Sequence, residues 1–535
     1  MKADTTAGDT PPDRQEALIR ALQRPAPYTH PVSSLAVIET HISWVILTGE
    51  LAYKIKKAVN FGFLDFSTLE KRRYYCQEEL RLNRRFAPEL YLDVITVTGD
   101  PERPSINASG PVLEYAVLMR QFPQDGLLSH MAENRQLLPA HMDEIIQLVA
   151  GMHAHAGNAA GEAGYGRPED IHHWVLENFL HIRPLLTGGL HREQLDRLEH
   201  WCQQEYLRRE PLLRERRQGG LVRECHGDLH LGNLALIEGR ITPFDCIEFN
   251  PQLRWIDVMS EVAFLMMDVQ DRGYDELAYR FLNGYLQHTG DYAGIGILRY
   301  YLVYRALVRA KVAVLRLGQP HIEPAEEADA WKDYESYMLL ARHYADIRKP
   351  VLMITQGVSG SGKSWWAARL VEKLGAICIR SDVERKRLFG YQADAGTHSD
   401  IQGGIYTSTA STVTYERLAD LAGFVVEAGY PVIVDAAFLK RPQRDRFRRL
   451  AIQHGVPLVL LHFAADIDTL YKRIRGRQAA GSDPSEAGIE VLQAQLATQQ
   501  PLQSDEREGL IEIAASRGHP VGEVVRLIRA MTTMP

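Results

Sequence analysis

The segment Gly357-Val-Ser-Gly-Ser-Gly-Lys-Ser364 lies between an apolar run, Val351-Leu-Met-Ile-Thr355, and an amphipathic one, Trp365 to Leu374. That order predicts a strand, a glycine loop and a helix. A phosphate chain can lie against backbone N–H groups only where side chains are absent, which accounts for glycine at 357, 360 and 362. Lys363 then reaches the β- and γ-phosphates, and the Ser364 hydroxyl ligates Mg²⁺. Downstream, apolar strand-like runs alternate with helical ones, which predicts a parallel α/β sheet with its active groups at the strand C-terminal ends. Asp382 follows the second strand of that sheet, with Arg385 one helical turn later, and Asp435 ends the apolar run Val432-Ile-Val-Asp in the position of a metal-binding carboxylate. Arg473, Arg475 and Arg477 lie on a helix that either closes over the phosphates as a lid or is a solvated basic face.

One glycine loop does not occupy 535 residues, and the length predicts about three domains. A hydrophobic content of 45% with 24% charged residues is that of a soluble globular protein. The net charge of −7 argues against wholesale binding to nucleic acid or an anionic membrane. Five scattered cysteines form no C-x-x-C pair, so neither a zinc site nor a disulfide framework is indicated, and a reducing cytoplasm fits best. No secretion signal or membrane span is visible.

Residues 1–27 read as a flexible tail that leads into a short helix closed by Pro25 and Pro27. Trp44 to Lys57 reads as two strands about a turn at Thr48-Gly49-Glu50. The second strand carries Lys54 and Lys56 on one face, which taken alone suggests a solvated face. Ser67-Thr-Leu-Glu70 has the pattern of a capping box, and Leu69, Cys76, Leu80 and Ala87 mark one face of the helix it opens. Glu79 falls on the flank of that face and Glu78 points away. A carboxylate there could pair with Lys54 and position it on a phosphate, or both glutamates could be surface charges. Pro111 to Met119 is a further strand, entering a hinge at Arg120 to Gly126, and Leu127 to about Arg217 is helical. His153 and His155 on that stretch read as packing or surface residues, with no third metal ligand in their company.

Glu224-Cys-His-Gly-Asp-Leu-His-Leu-Gly-Asn233 places His226, Asp228 and Asn233 on a loop between apolar runs, and Asp245 ends a short strand twelve residues past Asn233. Phosphoryl transfer from Mg·ATP to a hydroxyl needs a carboxylate for the proton, oxygen ligands for the metal and a cation on the phosphates. Asp228 supplies the first, Asn233 and Asp245 the second, Lys54 the third.

H-G-D-x-H-x-x-N followed by an aspartate-ended strand resembles the aminoglycoside phosphotransferase and choline kinase branch of the protein-kinase-like fold, over roughly residues 30 to 340. The resemblance implies Asp228 as catalytic base, Asn233 and Asp245 as magnesium ligands, Lys54 as the ATP lysine paired with Glu79, and Asp257 as a structural aspartate. Lys56 and Glu78 are rivals for the lysine–glutamate pair. Cys246-Ile247 after the metal aspartate, and a single glycine in the N-terminal turn, depart from the family pattern without removing a catalytic group. The later residues resemble small P-loop kinases such as gluconate kinase, zeta-toxin-like and polynucleotide-kinase-like enzymes. That likeness implies Asp382 as activator of the acceptor hydroxyl, with Arg385 on substrate or phosphate.

The order of the two halves resembles bacterial bifunctional aminoglycoside-phosphotransferase-like and ATP-binding proteins. The expectation is an α+β protein-kinase-like domain over 28–347 and an α/β P-loop kinase domain with a parallel sheet over 348–535. Each half is expected to use ATP and Mg²⁺ to phosphorylate a small-molecule hydroxyl in the cytoplasm, without membrane or nucleic-acid partners; the oligomeric state is not legible. Two alternatives stay open. The basic cluster Lys440, Arg441, Arg444, Arg446, Arg448 and Arg449, together with Asp382 and Arg385, would suit a 5′-hydroxyl nucleic-acid kinase, though the acidic net charge and the lack of an aromatic stacking pattern nearby stand against it. An ATP-gated regulatory protein is the other.

Overall fold

The first three β-strands already decide where Lys54 must point. The computed structural model describes residues 12–533 except 63, 160–163, 187, 318–321, 347–349, 392–406, 481–486 and 515–519, so the boundary expected near Arg348 lies outside the described residues. The chain divides into two compact units, Met1–Leu137 with Met152–Asp170 and Arg214–Asp268, and Leu138–Gly151 with Ile171–Leu213 and Val269–Pro535. Among the described residues no helix is long and apolar enough to cross a membrane. All five cysteines are buried and none is in a disulfide.

The first unit holds a six-stranded antiparallel sheet. Its strands are β1 Ala36–Glu39, β2 Ser43–Leu47, β3 Leu51–Lys56, β4 Tyr91–Asp100, β5 Arg103–Ile106 and β6 Val112–Arg120, in the order β1-β2-β3-β6-β4-β5. The expected hairpin is present, with Trp44 opposite Ile55 and Val45 opposite Lys54. One face of the sheet is apolar and is covered by the helix Pro12–Leu22, whose Leu18, Ile19 and Leu22 pack with Ile46, Tyr53 and Ile55. The expected short helix is present, and it packs on the sheet rather than lying loose. Burying three such side chains contributes about 1.5–3 kcal/mol each. Gln15 adds polar ties, donating to the Lys56 carbonyl at 2.8 Å and accepting from the Ala58 N–H at 2.9 Å.

The helix Leu69–Asn83 covers the other face, and it buries a polar surface: Arg72, Cys76, Glu79, Leu82 and Asn83. Glu79 is thus central to the buried face rather than on its flank, because two lysines wait beneath it. The cap is also displaced by one residue. Thr68 caps the helix, accepting from the Lys71 N–H, while Ser67 is drawn into the preceding turn by Asp65, to which its hydroxyl donates at 2.6 Å and its N–H at 3.0 Å.

Later in this unit β7 Val222–Glu224 pairs with β10 Trp255–Asp257, and the hairpin of β8 Leu234–Ile237 and β9 Arg240–Pro243 carries the 226–233 loop on one side and Asp245 on the other. The helix Val258–Asp271 follows.

In the second unit a five-stranded parallel sheet has the order β12-β13-β11-β14-β15, from β11 Leu352–Gln356, β12 Ile377–Arg380, β13 Val432–Asp435, β14 Leu458–Ala464 and β15 Leu510–Ala514. The expected strand, glycine loop and helix are β11, residues 357–362 and Lys363–Leu374. The open edge at β12 is closed by the helix Asp275–Thr289 of the same unit: Asn283 accepts from the Cys378 N–H at 2.7 Å and donates to the Ala376 carbonyl at 2.9 Å. One amide side chain thereby takes the place of a strand at an edge that would otherwise be free to pair. The strand it secures ends at Arg380, directly before Asp382.

Candidate active sites

Lys54 and Lys56 are both buried, so the solvated-face expectation fails; a period of two sends them to one face, and that face lies under the helix bearing Glu79. Lys54 Nζ stands 2.8 Å from Glu79 Oε1 and also pairs with Asp245. Lys56 Nζ lies 2.6 Å from Glu79 Oε2 and pairs in addition with Glu248. Glu79 bridges the two lysines, one through each oxygen. Burial opposes the Lys54 charge, but Asp245, Glu79 and Glu248 outweigh it and raise its pKa well above the ordinary lysine value. Burial likewise works against the Glu79 carboxylate, yet Lys54 and Lys56 hold it below the usual range. Glu78, the rival to Glu79, instead meets Arg81 at 2.9 Å and Arg254 at 3.4 Å. Lys54 is the lysine that meets Asp245, the candidate metal ligand, and Lys56 is a second, wholly buried cation beside it.

Asp245 has a left-handed backbone, φ 64°, uncommon for a residue with a side chain and a mark of constraint at functional positions. Its N–H donates to the Tyr91 hydroxyl oxygen at 2.9 Å. The Phe244 N–H bonds the Asn233 carbonyl at 3.0 Å, which draws the two candidate metal ligands to the same end of the β8–β9 hairpin. Asn233 Nδ2 donates to the Asp228 carbonyl at 2.9 Å and to its Oδ2 at 3.1 Å. That orientation turns the amide oxygen away from Asp228. A carboxylate and an amide oxygen are the donors Mg²⁺ takes, so the residues fit the ion.

The loop is pinned from behind. Glu261 Oε1 accepts from the Gly227 N–H at 2.7 Å and Asp268 Oδ2 from the Leu231 N–H at 2.9 Å. These acids stand two helical turns apart on Val258–Asp271, so both face the loop. His226 Nε2 meets the Phe244 carbonyl at 2.8 Å, which requires the proton on Nε2 and leaves Nδ1 to accept from the Asp228 N–H at 3.3 Å. Burial lowers the His226 pKa, in keeping with a neutral ring. His153 is buried 2.9 Å from Glu261, and Cys225 lies close by, the three ligand atoms being within 4.8 Å of one another. With Glu261 already engaged by Gly227, this group is an anchor for the loop, and His155 is exposed. Asp257 is held by both Arg216 Nε and Nη2 at 2.8 Å, deep in the unit, a structural placement.

The second unit contains a cavity of about 300 Å³. Gly360, Gly362, Lys363, Ser364, Asp382, Arg385, Asp435, Arg473 and Arg477 all line it. Gly357 lies at the base of the loop instead, its N–H bonded to the Ala437 carbonyl at 3.1 Å. Gly362 caps the helix N-terminus at φ 100°, and a Cβ there would come within 3.3 Å of Arg473 Nη1. Bare backbone at that point is what a phosphate would rest on. Lys363 Nζ donates to the Val358 carbonyl at 2.9 Å. Burial lowers its pKa, against the pull of Asp435 and Asp382. Arg473 reaches over the loop to the Gly360 and Ser361 carbonyls, both at 3.3 Å, and Arg477 holds the Ala487 carbonyl. Arg475 is exposed and outside the cavity lining.

A family model described as AAA domain matches residues 352–502. An uncharacterized protein of Mycobacterium tuberculosis is 29% identical over 94% of this chain and 97% of its own length, and the same figures hold for one from Mycobacterium bovis. Among solved structures, a choline/ethanolamine kinase family protein from Mesorhizobium loti covers 62% of this chain and 99% of its own at 13% identity and a TM-score of 0.34. A gluconokinase from Sinorhizobium meliloti covers 34% and 95% at 25% identity and a TM-score of 0.23. The described fold is an α+β region built on an antiparallel sheet and an α/β domain whose parallel sheet carries the glycine loop at the end of β11, within the stretch that matches the AAA domain model.

Glu248, Glu261, Asp268, Arg380 and Gln495 are parts of these sites that reading the sequence missed. Glu261 and Asp268 left a signal, two acids seven apart in a largely apolar helix. Glu248, three residues beyond Asp245, could have been found as a second acid for a second lysine. Arg380, 3.6 Å from Asp435, and Gln495, which accepts from the Ser359 N–H at 2.7 Å, gave none.

Proposed function

We propose that the chain is a bifunctional ATP-dependent phosphotransferase, one site in residues 28–347 and one in 348–535, each passing the γ-phosphoryl group of ATP to a hydroxyl of a small molecule. The observation that carries this is the meeting of Lys54, Glu79 and Asp245 from a strand, a helix and a loop, beside the ring of contacts that orders Asp228 and Asn233. In the first site Asp228 takes the proton of the acceptor hydroxyl as the oxygen attacks. Lys54, kept charged by its neighbours, holds phosphate oxygens, and Asn233 and Asp245 hold Mg²⁺. The ion, when bound, spreads the negative charge that develops on the transferring group. In the second site the glycine loop and Lys363 bind the phosphates, Ser364 and Asp435 hold the metal, Asp382 orients and deprotonates the acceptor, and Arg385, Arg473 and Arg477 enclose the phosphates. We place the chain among bacterial fusions of an aminoglycoside-phosphotransferase-like half with a P-loop kinase half.

Four of the six residues in the basic cluster that favoured a nucleic-acid kinase are engaged by neighbouring carboxylates. Arg444 is buried against Glu506 at 2.6 Å, Arg441 and Arg448 share Asp505 at 2.6 and 3.1 Å, and Arg446 meets Glu416 at 3.1 Å. Charges spent on neighbouring carboxylates are poor phosphate contacts. The test is transfer of labelled γ-phosphate by the full chain to a panel of sugars, amino sugars, nucleosides and RNA 5′ ends. A labelled small-molecule product supports the reading; labelled RNA ends as the sole product would replace it with the kinase of nucleic acid.

A further inference from the structure

Two consecutive tryptophans follow the glycine loop, and they do different things. Trp366 is buried in the core with Leu370, Val371 and Ile433. Trp365, one residue nearer the loop and on the first turn of the helix, is 51% exposed and lines the P-loop cavity. The Arg369 guanidinium lies 3.4 Å over its ring, and Arg369 Nη1 donates to the Trp365 carbonyl at 3.1 Å, so the arginine is fixed to the same turn. The edge of Trp366 meets Trp365 with centroids 5.6 Å apart at 70°. The other aromatic ring of the lining, Tyr415, is buried and its hydroxyl accepts from the Phe438 N–H, so it has a packing role.

A large indole held in place on two sides and left half in water is apolar surface that folding has not used. It adjoins Lys363 and Ser364, so a ligand whose phosphates rest on the loop passes it on leaving the helix N-terminus. We propose that Trp365 is the base platform of this site: its ring stacks the heteroaromatic base of a nucleoside triphosphate, with Arg369 holding the indole in position. The proposal rests on the reading of the cavity as a nucleotide site and adds what recognises the base. Stacking acts on any base and on no phosphate. That separates it from everything the loop itself does.

The experiment is equilibrium binding of ATP and of inorganic tripolyphosphate to the full chain, with Lys363→Ala defining which part of the binding belongs to the loop. Trp365→Ala is expected to weaken the loop-dependent ATP affinity about tenfold and leave that of tripolyphosphate unchanged. Trp365→Phe keeps most of the ATP affinity, and Arg369→Ala loses ATP affinity without losing tripolyphosphate. Unchanged ATP affinity in Trp365→Ala overturns the proposal, as does an equal loss for both probes, which would make Trp365 a support of the phosphate loop. A loop that binds tripolyphosphate as tightly as ATP overturns the platform and leaves the phosphate cradle standing. Absence of any Lys363-dependent binding of either probe overturns the nucleotide-site reading and the platform with it.

Discussion

The two candidate sites place a lysine against phosphate by opposite electrostatic means. Lys54 is already satisfied, between Glu79 and Asp245, and its pKa is raised. Lys363 is half-buried beside backbone, and desolvation lowers its pKa. On the proposed function, a phosphate arriving at the first site would compete with Asp245 for the lysine and leave that carboxylate able to hold a metal. At the second site a phosphate supplies the counter-charge that Lys363 lacks. One site is therefore built from tertiary ion pairs that hold it together without ligand, and the other from a local loop that waits for one.

That contrast can be broken most severely at the bases. Asp228→Ala is expected to cut acceptor-dependent ADP release by the first site about 10²–10⁴-fold with ATP affinity nearly intact, and Asp382→Asn to do the same to the second site. Normal turnover in either variant would remove that residue from the mechanism. Next comes the ion-pair network. Glu79→Gln leaves two buried lysines short of a charge, and denaturant melts should show a loss of about 3–5 kcal/mol. Lys363→Ala should show no such loss, since it forms no ion pair among the described residues; its effect is nucleotide binding weaker by about 10- to 100-fold in the second site alone. An equal stability cost for both variants would erase the distinction. The smallest effect is that of pH. Glu79 has a depressed pKa in the folded chain, so its ionised form stabilises the fold above the ordinary carboxylate range, and this contribution is lost as pH falls through that range toward the folded value. Melts at decreasing pH should show a stability loss that Glu79→Gln lacks. Parallel pH dependence in the two proteins would contradict the assignment.

The same contrast decides what could be read from the chain. Residues 357–364 are contiguous, and a backbone cradle is specified by glycines at fixed offsets, so the loop, its flanking strand and helix, and the cavity residues Asp382 and Asp435 were legible. The first site is assembled from positions 54, 79, 228, 233 and 245, and only its loop has a local signature. Period two put Lys54 and Lys56 on one face but could not say that the face is buried, because burial is decided by a helix that arrives later carrying Glu79. Helical period put Glu79 on a flank because apolar residues were taken to define the buried face, whereas this helix buries charge. Arg380 and Gln495 act through contacts that no spacing announces. The N-terminal helix was underestimated for a similar reason: Leu18, Ile19 and Leu22 find their partners only once the sheet exists.

The most direct test of two separate phosphotransfer sites in one chain is a crossed comparison of the full-length protein, Asp228→Ala and Lys363→Ala, with acceptor-dependent ADP release measured for each acceptor that the unaltered protein phosphorylates. The account predicts two activities, one lost in each variant and retained in the other. Loss of both activities in either variant, or survival of both in each, would contradict it.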